Sequence, residues 1–137
     1  MTKIIICSPS YNSAIGGSVA LHKLCHILNE LKYDASLTST LKLNGQVEWF
    51  ALNPLFNTKI AEEFHPEEDI IIYPEIEPGN PFQCKNVVRY ILNSFHLPEY
   101  DNTIATWGDL DYWLYYEHTF YDKLKDPNFL KIVDVYT

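Results

Sequence analysis

The hydrophobic pattern opens with a short unbroken apolar run, Ile4-Ile5-Ile6-Cys7 after Lys3. A run of that length with no polar alternation predicts a strand buried on both faces, as in a parallel sheet. A polar loop from Ser8 to Gly17 follows, and then the period changes. Leu21, Leu24, Cys25, Leu28 and Leu31 recur at the spacing of one helical face, while His22, Lys23, His26, Asn29 and Glu30 fall elsewhere on the wheel and predict an exposed polar side. Ser18 is a suitable helix-start residue. Asp34 to Thr38 predicts a second strand.

Further along, Val47 to Leu52 (VEWFAL) predicts a strand after the Asn44-Gly45 turn, and Thr58 to Phe64 a short helix. Ile70 to Tyr73 is a second continuous apolar run and predicts another buried strand. Pro74 to Pro81 (PEIEPGNP) breaks all regular structure and predicts a shaped loop. Asn86 to Phe95 (NVVRYILNSF) places Val87, Val88, Ile91, Leu92 and Phe95 on one helical face. Tyr112 to Tyr116 predicts a strand, Phe120 to Leu124 a short helix, and Phe129 to Val135 a last strand.

Strands alternating with helical patterns predict one α/β domain over residues 1–137, a Rossmann-like three-layer fold with a mainly parallel central sheet. In such sheets ligands sit beyond the carboxyl ends of the strands. The Ser8 to Gly17 loop and the Pro74 to Pro81 loop both occupy that position.

Charge narrows the partners. The chain carries 18 acidic and 10 basic residues, a net charge of -8. No basic stripe is present, which argues against nucleic acid and against an anionic membrane surface. The three cysteines, Cys7, Cys25 and Cys84, are widely spaced, without a CxxC pair, and predict buried thiols in a reducing compartment. No signal-peptide or membrane-spanning pattern is present, so the expected location is cytoplasmic.

Candidate chemistry is concentrated in the two loops. Gly16-Gly17 precedes a helix whose N-terminus suits an anion or a close-lying ligand. The pair matches neither the dinucleotide fingerprint nor a P-loop, and a plain tight turn explains it almost as well. Glu75, just past a buried strand, is the one candidate for a catalytic base or an acceptor-hydroxyl partner, set against a solvated loop acid or a cap. Glu77 is expected to face solvent. Arg89 is placed to pair with Glu75 or hold a phosphate, set against a surface ion pair. Tyr11, Tyr73, Trp107, Tyr112, Trp113, Tyr115 and Tyr116 offer faces for sugar stacking, set against core packing. His22 and His26 have a metal-compatible spacing but no third ligand, so no metal is expected.

Two segments in order carry a family resemblance. KIIIC, a loop ending in Gly-Gly and ALHKLCHILNELKYDA resemble the opening of GT-B glycosyltransferases. DIIIYPEIEPGNPFQCKNVVRYILN resembles a bacterial and viral branch of that superfamily, in which a strand runs into Pro-Glu, then Pro-Gly-Asn-Pro, then a helix of the form NVVRYLLN. The resemblance covers most of the chain, more weakly after Phe95. It implies the acceptor-side half of a two-domain enzyme. A nucleotide-sugar donor would be its co-substrate, and a carbohydrate or glycoconjugate its acceptor. A second GT-B half, or a further copy of the chain, would be its partner. Tyr11, Gly16, Gly17, Glu75 and Arg89 are the implied substrate-side residues. The chain has no cofactor of its own in this reading. The competing reading is a non-catalytic Rossmann-like module that binds a sugar or a protein.

Overall fold

Successive isoleucines of the first strand point to opposite faces, and each face meets a different cover. The computed structural model describes residues 2–39, 50–92, 99–116 and 133–134. Its elements are β1 (Lys3–Cys7), α1 (Gly16–Glu30), β2 (Asp34–Thr38), β3 (Ile70–Pro74), β4 (Asn86–Ile91), α2 (Glu99–Ile104), β5 (Tyr112–Tyr115) and β6 (Val133–Asp134). The six strands form one sheet in the order β2-β1-β3-β4-β5-β6, and every pairing is parallel. The fold is therefore the expected Rossmann-like α/β arrangement.

Ile6 and Ile72 face α1, where they pack with Leu21, Leu24, Cys25, Ala35, Leu37 and Tyr90. Ile5, Cys7, Ile71, Tyr73 and Val87 face the other way, where Cys84, Ala61, Phe64 and Phe82 cover them. Among the described residues this second layer is built from loop segments around residues 61–64 and 82–84.

The chain reverses direction across the sheet between β1 and β3. From β1 it moves through α1 to β2, then crosses back to place β3 on the other side of β1. Outside β2 lies a rudimentary further strand. Leu37 N–H donates to Lys59 O at 2.8 Å and Ala61 N–H to Leu37 O at 2.8 Å, forming a single parallel bridge between Leu37 and Ile60. With that segment counted, the order is that of the doubly wound dinucleotide-binding sheet, and the reversal is its switch point.

Two sequence expectations are corrected here. Residues 86–91, expected to begin a helix, form β4. Its register with β3 runs from Ile70↔Asn86 to Pro74↔Tyr90. NVVRYIL satisfies a strand period as well as a helical one, and the open edge of β3 selects the strand. Residues 58–64 form no helix; they run extended because the edge of β2 takes them as a bridge. The strand at Val47 to Leu52 falls largely outside the described residues, and its described part, residues 50–52, is irregular. The helix expected at Phe120 to Leu124 lies outside them, and only residues 133–134 of the last strand are described.

The expected exposed side of α1 is corrected in part: Lys23 and Glu30 are exposed, but His22 is buried and His26 and Asn29 are half-buried in a polar seam that begins at the buried Ser18. Ser18 Oγ accepts from Asn12 N–H at 2.8 Å and donates to Ser10 O at 3.2 Å. His22 Nε2 lies 2.9 Å from Pro9 O. His26 Nδ1 accepts from Asn57 N–H at 2.7 Å. Asn29 accepts from Ala35 N–H at 2.8 Å and donates to Ala35 O at 3.0 Å and Asn57 O at 2.8 Å. These residues recur three or four apart, so one helix face carries them all and ties two loops and β2 to α1. The helix then ends in a Schellman turn, with Tyr33 N–H donating to Leu28 O and Lys32 N–H to Asn29 O, both at 3.0 Å.

Candidate functional site

The carboxyl ends of β1, β3, β4 and β5 and the first turn of α1 enclose a cavity of about 380 Å³ at the switch point. Small-molecule pockets typically span roughly 300–1,000 Å³. Its walls are Pro9 and Ile15 from the first loop, Gly16, Gly17, Ser18, Ala20 and Leu21 from α1, Pro74, Glu75 and Ile76 after β3, Leu92 after β4, and Tyr116 after β5.

The first intrahelical bond of α1 runs from Val19 N–H to Ile15 O at 3.1 Å. The amides of Gly16, Gly17 and Ser18 therefore precede the helical ladder. Neither glycine has the positive φ that would require glycine. A Cβ on Gly16 would meet nothing within 4 Å, and one on Gly17 would meet only Leu92 Cδ1 at 3.8 Å. A tight turn therefore does not explain the pair. What their missing side chains leave is room, and that room is the cavity.

Glu75 is buried, at 2% exposure. Its Oε2 accepts from Leu92 N–H at 3.4 Å, which links the end of β3 to the end of β4.

Arg89 is not at the cavity. It lies on the sheet face opposite α1 with no exposure, so neither the helical position nor the surface ion pair applies. Its Nε donates to Asp111 Oδ2 at 2.9 Å. Nη1 donates to Glu77 O at 3.2 Å, and Nη2 to Gly79 O. The guanidinium carbon lies 4.9 Å from the Tyr73 ring centroid and 5.0 Å from that of Trp107. Trp107 Nε1 also donates to Glu77 O at 3.0 Å. Arg89 thus fixes the loop that follows Glu75, and does so from beneath it. Gly79 has φ +67, a conformation glycine adopts without strain, and presents its carbonyl to Arg89 there. Burial raises the Glu77 carboxyl above its usual range, with the Arg89 charge opposing; Glu77 is half-buried rather than solvated.

Tyr11 also lies away from the cavity lining. Its ring packs edge-on against His22 and Phe56. Of the aromatic residues, Tyr73, Trp107, Trp113 and Tyr115 are buried, and Tyr116 alone of the seven lines the cavity. His22 and His26 are turned to separate backbone partners, and among the described residues no three His, Cys, Asp or Glu side chains gather as a metal group.

Of the sequence-selected residues, the structure brings Gly16, Gly17 and Glu75 together and sets Arg89 and Tyr11 apart. Sequence reasoning missed Ile15, Ile76 and Leu92. Ile15 and Ile76 did carry a signal: each is an apolar residue standing inside an otherwise polar loop.

No helix among the described residues is long and apolar enough to cross a membrane. Comparison with protein-family models, with curated proteins and with solved structures finds no match.

Proposed function

We propose that this chain is the acceptor-binding half of a nucleotide-sugar-dependent glycosyltransferase working in the cytoplasm. The observation that supports the reading most is the meeting of Gly16, Gly17 and Glu75 in one cavity at the switch point of the sheet. Those residues come from the two segments that resemble GT-B enzymes, and ligands of open α/β sheets bind at such a point. Glu75 accepts a hydrogen bond from the acceptor hydroxyl, and the glycine-lined first turn of α1 lets a second substrate approach the backbone. Arg89 holds the Glu75 loop in shape rather than touching substrate.

In this reading the donor site belongs to a second half, and transfer needs both. Positioning two reactants supplies roughly 7–11 kcal/mol of barrier reduction in favourable cases, and one half forgoes it. The test is a transfer assay by mass spectrometry, with panels of nucleotide sugars and hydroxyl-bearing acceptors, run on residues 1–137 alone and together with donor-half domains. Product is expected only in the combined reaction, and lost when Glu75 is replaced by Gln. Robust transfer by residues 1–137 alone would overturn the division of labour. Acceptor binding that bypasses Gly16, Gly17 and Glu75 would favour the non-catalytic binding module.

A further inference from the structure

The loop that gives the cavity its Pro9 wall is held on two sides. From α1, His22 Nε2 donates to Pro9 O at 2.9 Å, and Ser18 Oγ donates to Ser10 O at 3.2 Å and accepts from Asn12 N–H at 2.8 Å. From the segment beyond β2, Ala51 N–H donates to Ser10 Oγ at 2.7 Å, and Ala51 O accepts from Tyr11 N–H at 2.9 Å. His22 sits where the two sides meet. It has no exposure, its ring is stacked on Phe50 with centroids 5.6 Å apart, and Tyr11 packs edge-on against it at 5.3 Å. Its Nδ1 is buried with no hydrogen-bond partner.

A histidine enclosed in this way fits its place only while neutral. Nε2 carries the proton of the neutral ring, because Pro9 O can only accept. A second proton goes to Nδ1, where its N–H meets no acceptor and its charge is cut off from water. The groups around the ring supply no counter-charge. Tyr11 comes from the loop and Phe50 from the segment beyond β2. On α1 itself, Ser18 and His26 lie one turn away, each bonded elsewhere. Burial lowers the His22 pKa against the bond to Pro9 O, and no neighbouring charge contributes. Water must therefore reach Nδ1 before the ring takes up a proton. Helix α1 cannot move to admit it, because Leu21, Leu24 and Cys25 anchor it in the core. Residues 9–12 and 50–51 lie outside every helix and strand and can move. We propose that His22 is a proton-operated latch: its protonation lifts residues 9–12 and 50–51 off α1 while the sheet stays folded, and the cavity at the switch point loses its Pro9 wall. The device goes beyond the acceptor reading and stands whatever ligand the cavity takes.

The test is amide hydrogen exchange on nitrogen-labelled protein at a series of pH values, corrected for the intrinsic exchange rate, with imidazole nitrogen shifts recorded on the same samples. Below about pH 6.5, the ordinary imidazole value, opening takes up one proton, so protection at the amides of Tyr11, Asn12 and Ala51 should fall about tenfold per pH unit. The amides of Ile6 and Ile72, in the central strands, should keep their protection over the same range. Titration of His26 is read separately at Asn57, whose N–H it accepts. His22→Gln keeps a donor for Pro9 O and cannot titrate, so its loop protection should stay level with pH. Should that variant not fold, the nitrogen shifts of the unaltered protein decide: His22 is expected to be neutral, with the proton on Nε2, in the closed state, and to gain its second proton in step with the loss of loop protection. Loop protection that is level with pH in the unaltered protein overturns the latch. So does loss at Tyr11 and Ala51 that occurs only together with Ile6 and Ile72, which is acid unfolding of the whole domain. A doubly protonated His22 beneath a loop that stays protected overturns it as well, and an undiminished slope in His22→Gln assigns the opening to another group.

Discussion

Arg89 Nε and Asp111 Oδ2 lie 2.9 Å apart, the first side chain with no exposure and the second at 11%. The pair joins β4 to the turn before β5, where Asp111 Oδ2 also accepts from Gly108 N–H at 3.0 Å. Burial lowers the Arg89 pKa, and the Asp111 hydrogen bond and charge oppose that shift. Without Asp111 the guanidinium would keep its burial and lose its counter-charge. Asp111→Ala is therefore expected to destabilise the fold by about 3 kcal/mol or more, read from the midpoint of urea denaturation. A loss below about 0.5 kcal/mol, the usual range of a surface change, would mean that the pair is solvated.

Gly16 and Gly17 should respond in the opposite direction. Both are helical, neither has a strained φ, and neither added Cβ meets a close neighbour. Alanine at either position is expected to stabilise the fold by about 0.4–1 kcal/mol by restricting the unfolded chain, while weakening any ligand that uses the cavity. Thermal unfolding and probe titration on the same variants separate the two effects. If alanine at both positions lowers the melting temperature, the glycines serve the fold and the cavity argument loses its main support.

His22 predicts a pH dependence. Burial lowers its pKa, against the raising effect of the bond to Pro9 O. A carbonyl can only accept, so Nε2 carries the proton, and Nδ1 is buried with no partner. Protonation would bury an N–H with nothing to receive it. The unfolded imidazole takes up its proton near pH 6.5, above the folded value. Stability from this residue is thus fully present above about pH 6.5 and falls as pH drops towards the folded pKa, since there the unfolded state binds more protons. His22→Phe, which keeps the ring stacked on Phe50, should flatten that slope while costing the bond to Pro9. An unchanged slope would assign the dependence to other groups.

Asn29 carries the connection between α1 and β2. Ala35 is fully buried, and its N–H and C=O both bond to the Asn29 side chain. Asn29→Ala leaves both groups unpaired, and an expected loss of about 2 kcal/mol follows. Amide hydrogen exchange at Ala35 should quicken in the same variant. Unchanged exchange there would show that another partner takes over.

Local pattern was enough wherever burial is the same on both faces of an element. Lys3 to Cys7 and Ile70 to Tyr73 are strands because unbroken apolar runs of that length fit only a covered sheet, and the structure extends β3 by one residue, to Pro74. The strand Asp34–Thr38 and the helix were legible from the same logic together with the change of period, although the helix begins at Gly16, with Ile15 capping it, rather than at Ser18. So were two of the loops that meet at the cavity, because glycine, proline and a lone glutamate mark them.

What the tertiary structure decided depends on partners distant in sequence. NVVRYIL fits a helix or a strand equally by its own pattern, and hydrogen bonds to β3 chose the strand. That choice turned Arg89 from a helix surface to the sheet face beneath the loop, where Asp111, 22 residues away, neutralises it. The polar side of α1 looked solvated because Ser, His and Asn usually are; Lys23 and Glu30 are, but Ser18 and His22 are buried and His26 and Asn29 half-buried because Pro9, Asn12, Ala35 and Asn57 offer their backbone groups to them. A sequence records which side chains can make such bonds. The folded chain determines which backbone groups arrive to receive them, and an unpaired polar group is too costly for the core to leave that pairing unmade.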